Sequence, residues 1–246
     1  MHHERLVPNS DTVDNPRLIE LHKVHRLRVA LLVGACLAFA YLAINEISSR
    51  LTYDVDVLTS WDQSIPFIPE WVWIYNLNIP MPLTLIIVAT KADQLLELIG
   101  GYIAIFIVAA LAFVVVPVHA DVLRPDLTLY PATWSVQMLG HYYTLDEVGN
   151  CLPSLHVAYS VYAGWWGLQL MPRAWGYPYA LLGVGITLST MFVKQHFIAD
   201  VVSALILAAA VYLAQRYFDV SMRRFVPRPI ERLVLNYRRN PSSSQA

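Results

Sequence analysis

Ser189-Thr190-Met191-Phe192-Val193-Lys194-Gln195-His196-Phe197-Ile198-Ala199-Asp200 lies between two long apolar runs. It puts a cation, an imidazole and a carboxylate into a chain that is otherwise mostly hydrocarbon. Read as helix, it sets His196 and Asp200 four residues apart on one side. A carboxylate there holds one imidazole nitrogen and leaves the other basic and correctly aimed. Lys194, close by, offers positive charge to an anion. The stretch reads as a nucleophile, its orienter and an anion clamp.

The flanking runs set the fold class. Of 246 residues, 57% are hydrophobic and 14% charged, against about 25% charged in soluble domains. The mean hydropathy of +0.47 agrees with an integral membrane protein. Six runs reach the length needed to cross roughly 30 Å of hydrocarbon. They are about Val29 to Ser48, Trp71 to Thr90, Tyr102 to Val118, Pro153 to Leu170, Tyr177 to Val193 and Phe197 to Tyr217. Pro80 and Pro82 are expected to kink the second, and Pro153 suits a first helical turn. The expected architecture is all-α: a polar arm over 1–28, a six-helix membrane bundle over 29–217 and a basic tail over 218–246. The arm is too polar and too long for a cleaved signal peptide, so the first span is expected to stay as an anchor. Lys91 to Leu98 reads as a polar link, and His119 to Asn150 as a long outer loop of functional type. Pro241 to Ala246 reads as disordered.

Six spans put both termini on one side. Fourteen of the 17 lysines and arginines fall on that side, leaving Arg50, Arg124 and Lys194 on the other. By the positive-inside rule both termini are cytoplasmic, in a plasma or inner membrane. Arg124, His156, Lys194, His196 and Asp200 then gather at the non-cytoplasmic face. The net charge of -1 provides no field to recruit nucleic acid. Cys36 and Cys151 suggest no disulfide.

Single histidines near span ends are usually interfacial. His2, His3, His22 and His25 take that reading, and His119 and His141 lean to it. His196 with Asp200 differs, because ionisable groups bordering a span are costly and usually functional. His-x3-Asp is also a usable metal spacing. No cysteine or second carboxylate is evident in the sequence to complete a ligand set, and Arg124 and Lys194 attract phosphate rather than a metal. The expectation is a reaction with no metal and no cofactor. Neutral His196, held by Asp200, attacks phosphorus, and His156 protonates the leaving oxygen and then activates the acceptor. Arg124, Lys194 and donors around Ser154 stabilise the equatorial oxygens. The rival class is a non-catalytic lipid-binding protein or transporter, which places its charges near the bilayer centre and often shows repeats. No repeat is visible here.

Three patterns now align. Pro153-Ser154-Leu155-His156 is followed by Ser189-Thr190, five residues, His196, three residues and Asp200, and is preceded by Arg124-Pro125. This order resembles the type 2 phosphatidic acid phosphatase superfamily of membrane phosphatases and phosphotransferases. That family carries Lys-x6-Arg-Pro, Pro-Ser-Gly-His and Ser-Arg-x5-His-x3-Asp. The resemblance implies a six-helix bundle, metal-independent catalysis, His196 as nucleophile, Asp200 as orienter and His156 as acid and base. It places Arg124, Ser154 and, at the head of the third motif, Ser189 around phosphate. The substrate it implies is a membrane lipid phosphate or a phospholipid. Two motif cations are absent: Pro117 stands at the lysine position and Thr190 at the arginine position. Lys194, one helical turn past Thr190, is the expected replacement. The Pro-Ser-Leu-His form and the Lys194-Gln195-His196-Phe197 run look like the branch of inositol phosphorylceramide synthases, which transfers a headgroup unit to a lipid alcohol.

Overall fold

A computed structural model describes residues 19–145 and 150–236. The first 18 residues of the expected arm, Asp146 and Glu147, and the tail beyond Asn236 lie outside the described residues. Within them the chain is helical, with no strand. The helices are α1 (Lys23–Ser48), α2 (Ser60–Ser64), α3 (Val72–Tyr75), α4 (Pro80–Val88), α5 (Ala92–Val115), α6 (Trp134–Leu145), α7 (Leu155–Leu170), α8 (Arg173–Phe192), α9 (Ile198–Tyr217) and α10 (Arg228–Leu235).

Four stretches among the described residues are long and apolar enough to cross a membrane: Lys23–Ser48, Pro69–Val88, Ala92–Val115 and Ile198–Tyr217. The chain is accordingly a multi-pass membrane protein. α7 has 16 residues, a rise of about 24 Å, and α8 carries three glycines and three serine or threonine residues in its length. Large apolar side chains stand exposed along the outside of the bundle, among them Phe39, Leu111, Leu181 and Ile206.

The helix ends gather into two layers. At one, Leu21 N–H donates to Thr90 C=O at 2.9 Å, and Gln215 Nε2 donates to Glu97 C=O at 3.0 Å. The start of α1, the α4–α5 link, the start of α5 and the end of α9 therefore share one end. At the other, Ile68 N–H donates to Phe192 C=O at 3.0 Å and Ser154 N–H to Asp200 C=O at 3.3 Å. Asn150 Nδ2 donates to Asn45 Oδ1 at 2.9 Å, and Ser48 Oγ donates to Asn150 Oδ1. The loops carrying the candidate site residues all lie in this second layer.

α5 is the central helix. Leu95, Leu96, Ile99, Ile105, Ala109 and Phe113 are fully buried along it. Gly101 makes the α5–α7 contact possible, because a Cβ there would fall 1.9 Å from Tyr162 Oη. Tyr162 and Tyr159 in turn meet the Tyr102 ring edge-on, with centroids 5.3 Å apart.

Several element boundaries differ from the sequence expectation. Lys91 to Leu98 is mostly the first two turns of α5, not a link. Glu97 stays at the bundle end because its carboxylate accepts from Gln215 Nε2, Ser221 Oγ and Met222 N–H. The second span is not one regular α-helix: a 3-10 turn over Asn76–Asn78 joins α3 to α4, which starts at Pro80, where its missing N–H costs nothing. Pro153 precedes α7 instead of opening it, and the N-cap is Ser154. The long outer loop contains a helix of its own, α6. Met171 and Pro172 alone form the α7–α8 turn, since α8 begins at Arg173.

Candidate active site

α8 stops at Phe192, and the chain turns before α9 starts at Ile198. Thr190 C=O takes both Gln195 N–H at 3.0 Å and His196 N–H at 3.3 Å, which closes the turn. Lys194 adopts φ 55° in the left-handed region, uncommon for a residue with a Cβ. His196 and Asp200 are therefore not on one helix face, contrary to the helical reading of the sequence. His196 precedes the helix and Asp200 sits in its first turn. Asp200 Oδ2 accepts from Phe197 N–H at 2.9 Å as an N-terminal cap. The same oxygen lies 3.2 Å from His196 Nδ1. The pairing comes from cap geometry.

His156 enters from the first turn of α7. Its Nδ1 lies 3.1 Å from His196 Nε2, and its Nε2 lies 3.2 Å from Tyr75 Oη. Four side chains from three segments thus form one line: Tyr75, His156, His196, Asp200. With both imidazoles neutral, the line has one consistent direction. A carboxylate only accepts, so His196 Nδ1 carries the proton and Nε2 accepts from His156 Nδ1–H. His156 Nε2 then accepts the Tyr75 hydroxyl proton. His196 and Asp200 are buried, and His156 is half-buried, so the line opens outward at His156.

Arg124 reaches the neighbouring residue. Its Nη2 donates to Gln195 Oε1 at 2.8 Å, its Nη1 to Tyr143 C=O at 3.1 Å, and its guanidinium lies 4.8 Å from the Tyr143 ring centroid. With Oε1 facing Arg124, Gln195 turns its amide nitrogen the other way. That Nε2 is buried and has no hydrogen-bond partner among the described residues.

Ser154 is fully buried; its hydroxyl caps α7 by accepting from Val157 N–H at 3.3 Å. Its backbone bond to Asp200 ties the Pro-Ser-Leu-His loop to the His196 turn. The other two candidates point elsewhere. Ser189 Oγ donates within α8 to Ile186 C=O at 2.6 Å. Lys194 Nζ donates to Asp62 C=O at 2.9 Å and Ile65 C=O at 2.6 Å. Because the helix has ended, Lys194 does not lie one turn beyond Thr190 on a shared face, and Thr190 Oγ1 donates back to Thr187 C=O. Burial holds the Lys194 ammonium below its ordinary range, with Asp62 opposing.

Four residues join the site without having been singled out in the sequence. Tyr75 is 81 positions from His156 and no local pattern marks it. Asp62 Oδ1 accepts from Ile198 N–H at 2.7 Å, and its Oδ2 accepts from Thr59 N–H at 2.9 Å. The Thr59-x-x-Asp62 capping spacing was legible; its second partner was not. Gln195 stands in the quoted stretch with no motif position to mark it. Cys151, expected to complete no ligand set, sits beside the carboxylate. The ligand atoms of Cys151, His196 and Asp200 all lie within 4.8 Å of one another.

No family model, curated protein or solved structure matched the chain in any of the three comparisons made.

Proposed function

We propose that this chain is a membrane enzyme of phosphoryl transfer, acting on a lipid phosphate or phospholipid through a phosphohistidine at His196. The observation that carries the reading is the directed line Tyr75–His156–His196–Asp200. It leaves His196 Nε2 with the lone pair and puts the nearest N–H on His156 Nδ1. In the reaction His156 first takes up a proton on Nε2, with Tyr75 Oη turning to accept from it. His196 Nε2 attacks phosphorus while the bond to the leaving oxygen breaks, and the His156 imidazolium protonates that oxygen from Nδ1, leaving a neutral ring. The same nitrogen, now basic, takes a proton from the acceptor, whose oxygen displaces His196. The rings stand too close to hold phosphorus between them, so productive binding parts them at the half-buried His156 side.

Arg124 and the backbone around Ser154 bind the equatorial oxygens in this reading. The buried Gln195 amide adds a neutral donor beside the nucleophile. Ser189 and Lys194, whose donors are held by carbonyls, are left out of the set. Six spans, cytoplasmic termini and a site on the non-cytoplasmic face complete the proposal, on the strength of the two helix-end layers and the charge distribution.

The acceptor is water for a lipid phosphatase. It is a lipid alcohol for a headgroup transferase of the inositol phosphorylceramide synthase type. The test uses purified protein, a panel of labelled lipid phosphates and phospholipids, and the variants His196→Ala and His156→Ala. Both are expected to lose at least about 100-fold in turnover. Label released as phosphate marks hydrolysis, and label moved to a second lipid marks transfer. Full activity in either variant refutes the mechanism. A lipid that binds without turnover favours the non-catalytic class.

A further inference from the structure

The carboxylate of Asp200 is used on one side only. Oδ2 serves His196 and Phe197, while Oδ1 is buried and has no hydrogen-bond partner among the described residues. Asp200 is fully buried. Leaving such an oxygen unmatched costs free energy, and the chemistry around it indicates what would match it. Cys151 and His196 are 6% and 4% exposed, and their sulfur and nitrogen lie within 4.8 Å of the carboxylate and of each other. Thiolate, imidazole and carboxylate are the three donors that a zinc-type ion takes, with a fourth position left for water.

We propose that Cys151, His196 and Asp200 form a binding site for a thiophilic divalent cation, zinc being the best-matched class. The ion seats on Asp200 Oδ1, takes the Cys151 sulfur as thiolate with release of the thiol proton, and draws an imidazole nitrogen of His196 into coordination. Occupancy withdraws His196 from the line to His156, so the bound form is the resting form of the enzyme. This last step rests on the phosphoryl-transfer reading; the binding site does not.

The test is a cobalt titration of the full-length, metal-stripped protein in detergent. It is run in a Cys36→Ala background, so that any thiolate-to-cobalt absorption comes from Cys151 alone. One equivalent of cobalt is expected to develop that band. Adding Cys151→Ala is expected to abolish the band, and Asp200→Asn to weaken binding by at least about 100-fold, since even outer partners of metal ligands are worth 10–100-fold. No band in the Cys36→Ala protein, or a band indifferent to Asp200→Asn, overturns the site. In parallel, zinc is expected to suppress lipid-phosphate turnover in the Cys36→Ala protein, reversibly on adding chelator. The Cys36→Ala/Cys151→Ala protein is expected to lose a much smaller fraction of its own zinc-free turnover at the same zinc. Equal zinc sensitivity of the two, or turnover that needs the metal, overturns the resting-state role. The cobalt band is read whether or not the chain turns over any lipid, so a failed phosphoryl-transfer reading is told apart from a failed metal site.

Discussion

At the scale of single residues, Tyr75 is the sharpest addition. Its hydroxyl lies 3.2 Å from His156 Nε2, and with both imidazoles neutral it donates there, which leaves the proton of that ring on Nδ1. Tyr75→Phe removes the bond and keeps the ring packed against Tyr142. The expected result is a kcat reduced about 3–10-fold, the size of one neutral hydrogen bond, with little change in KM. The pH–rate profile is expected to shift on the limb belonging to His156, which a purely structural tyrosine would leave in place. The sequence singled out His196, His156 and Asp200 by residue type and spacing, and the structure brings the three side by side. It misled on Lys194 for a local reason. A lysine near a histidine reads as an anion clamp until backbone carbonyls are known to surround it, and those carbonyls belong to residues about 130 positions away.

At the scale of elements, the Asp62–Lys194 exchange fastens the short helix α2 across the α8–α9 turn. Asp62 caps α9 from outside its own segment, and Lys194 returns the contact to the backbone around α2. Asp62→Ala is expected to cost about 1–3 kcal/mol of stability, read as thermal unfolding in detergent, and to lower activity without touching substrate. Lys194 adds a pH signature. Its folded pKa is depressed, so the unfolded chain binds more protons between that value and the ordinary 10.5. Stability from this group is therefore fully present above the ordinary value and lost as pH falls to the folded one. Lys194→Met is expected to flatten that alkaline rise in Tm. The contact between α5 and α7 makes an independent prediction. Gly101→Ala drives a methyl group into Tyr162, which is fully buried and whose Oη donates to Gln215 at 2.7 Å. Overpacking of that kind costs about 1–3 kcal/mol, read as a lower Tm. Helix positions were legible from hydropathy, but their ends were not. Asp93 and Glu97 look like a polar link until the Ser221–Met222 segment that receives Glu97 is in view.

At the scale of the molecule, one end of the bundle collects acidic and aromatic loops and the other collects arginines. In a cysteine-free background, Gln63→Cys and Arg224→Cys place thiols on exposed positions in opposite layers. An impermeant maleimide applied to intact cells is expected to label Gln63→Cys only, and Arg224→Cys is expected to react after permeabilisation. The reverse pattern would invert the proposed orientation. The all-α class followed from composition and run length; of the six expected spans, four are long and apolar enough to cross a membrane among the described residues. Which runs come together around the site did not follow, since that depends on contacts between segments far apart in the chain.

The clasp between Asn45, Ser48 and Asn150 bears on what α1 is for. Asn150 is the residue before Cys151 and four before Ser154, and its side chain is held by the last turn of the first helix. The loop that delivers His156 is thus moored to a helix that carries none of the reacting groups. A protein cut down to the helices bearing the three motifs would keep every candidate catalytic side chain and lose the post to which that loop is tied. The first helix is thus a mooring post of the candidate site as well as one of the four helices long and apolar enough to cross a membrane.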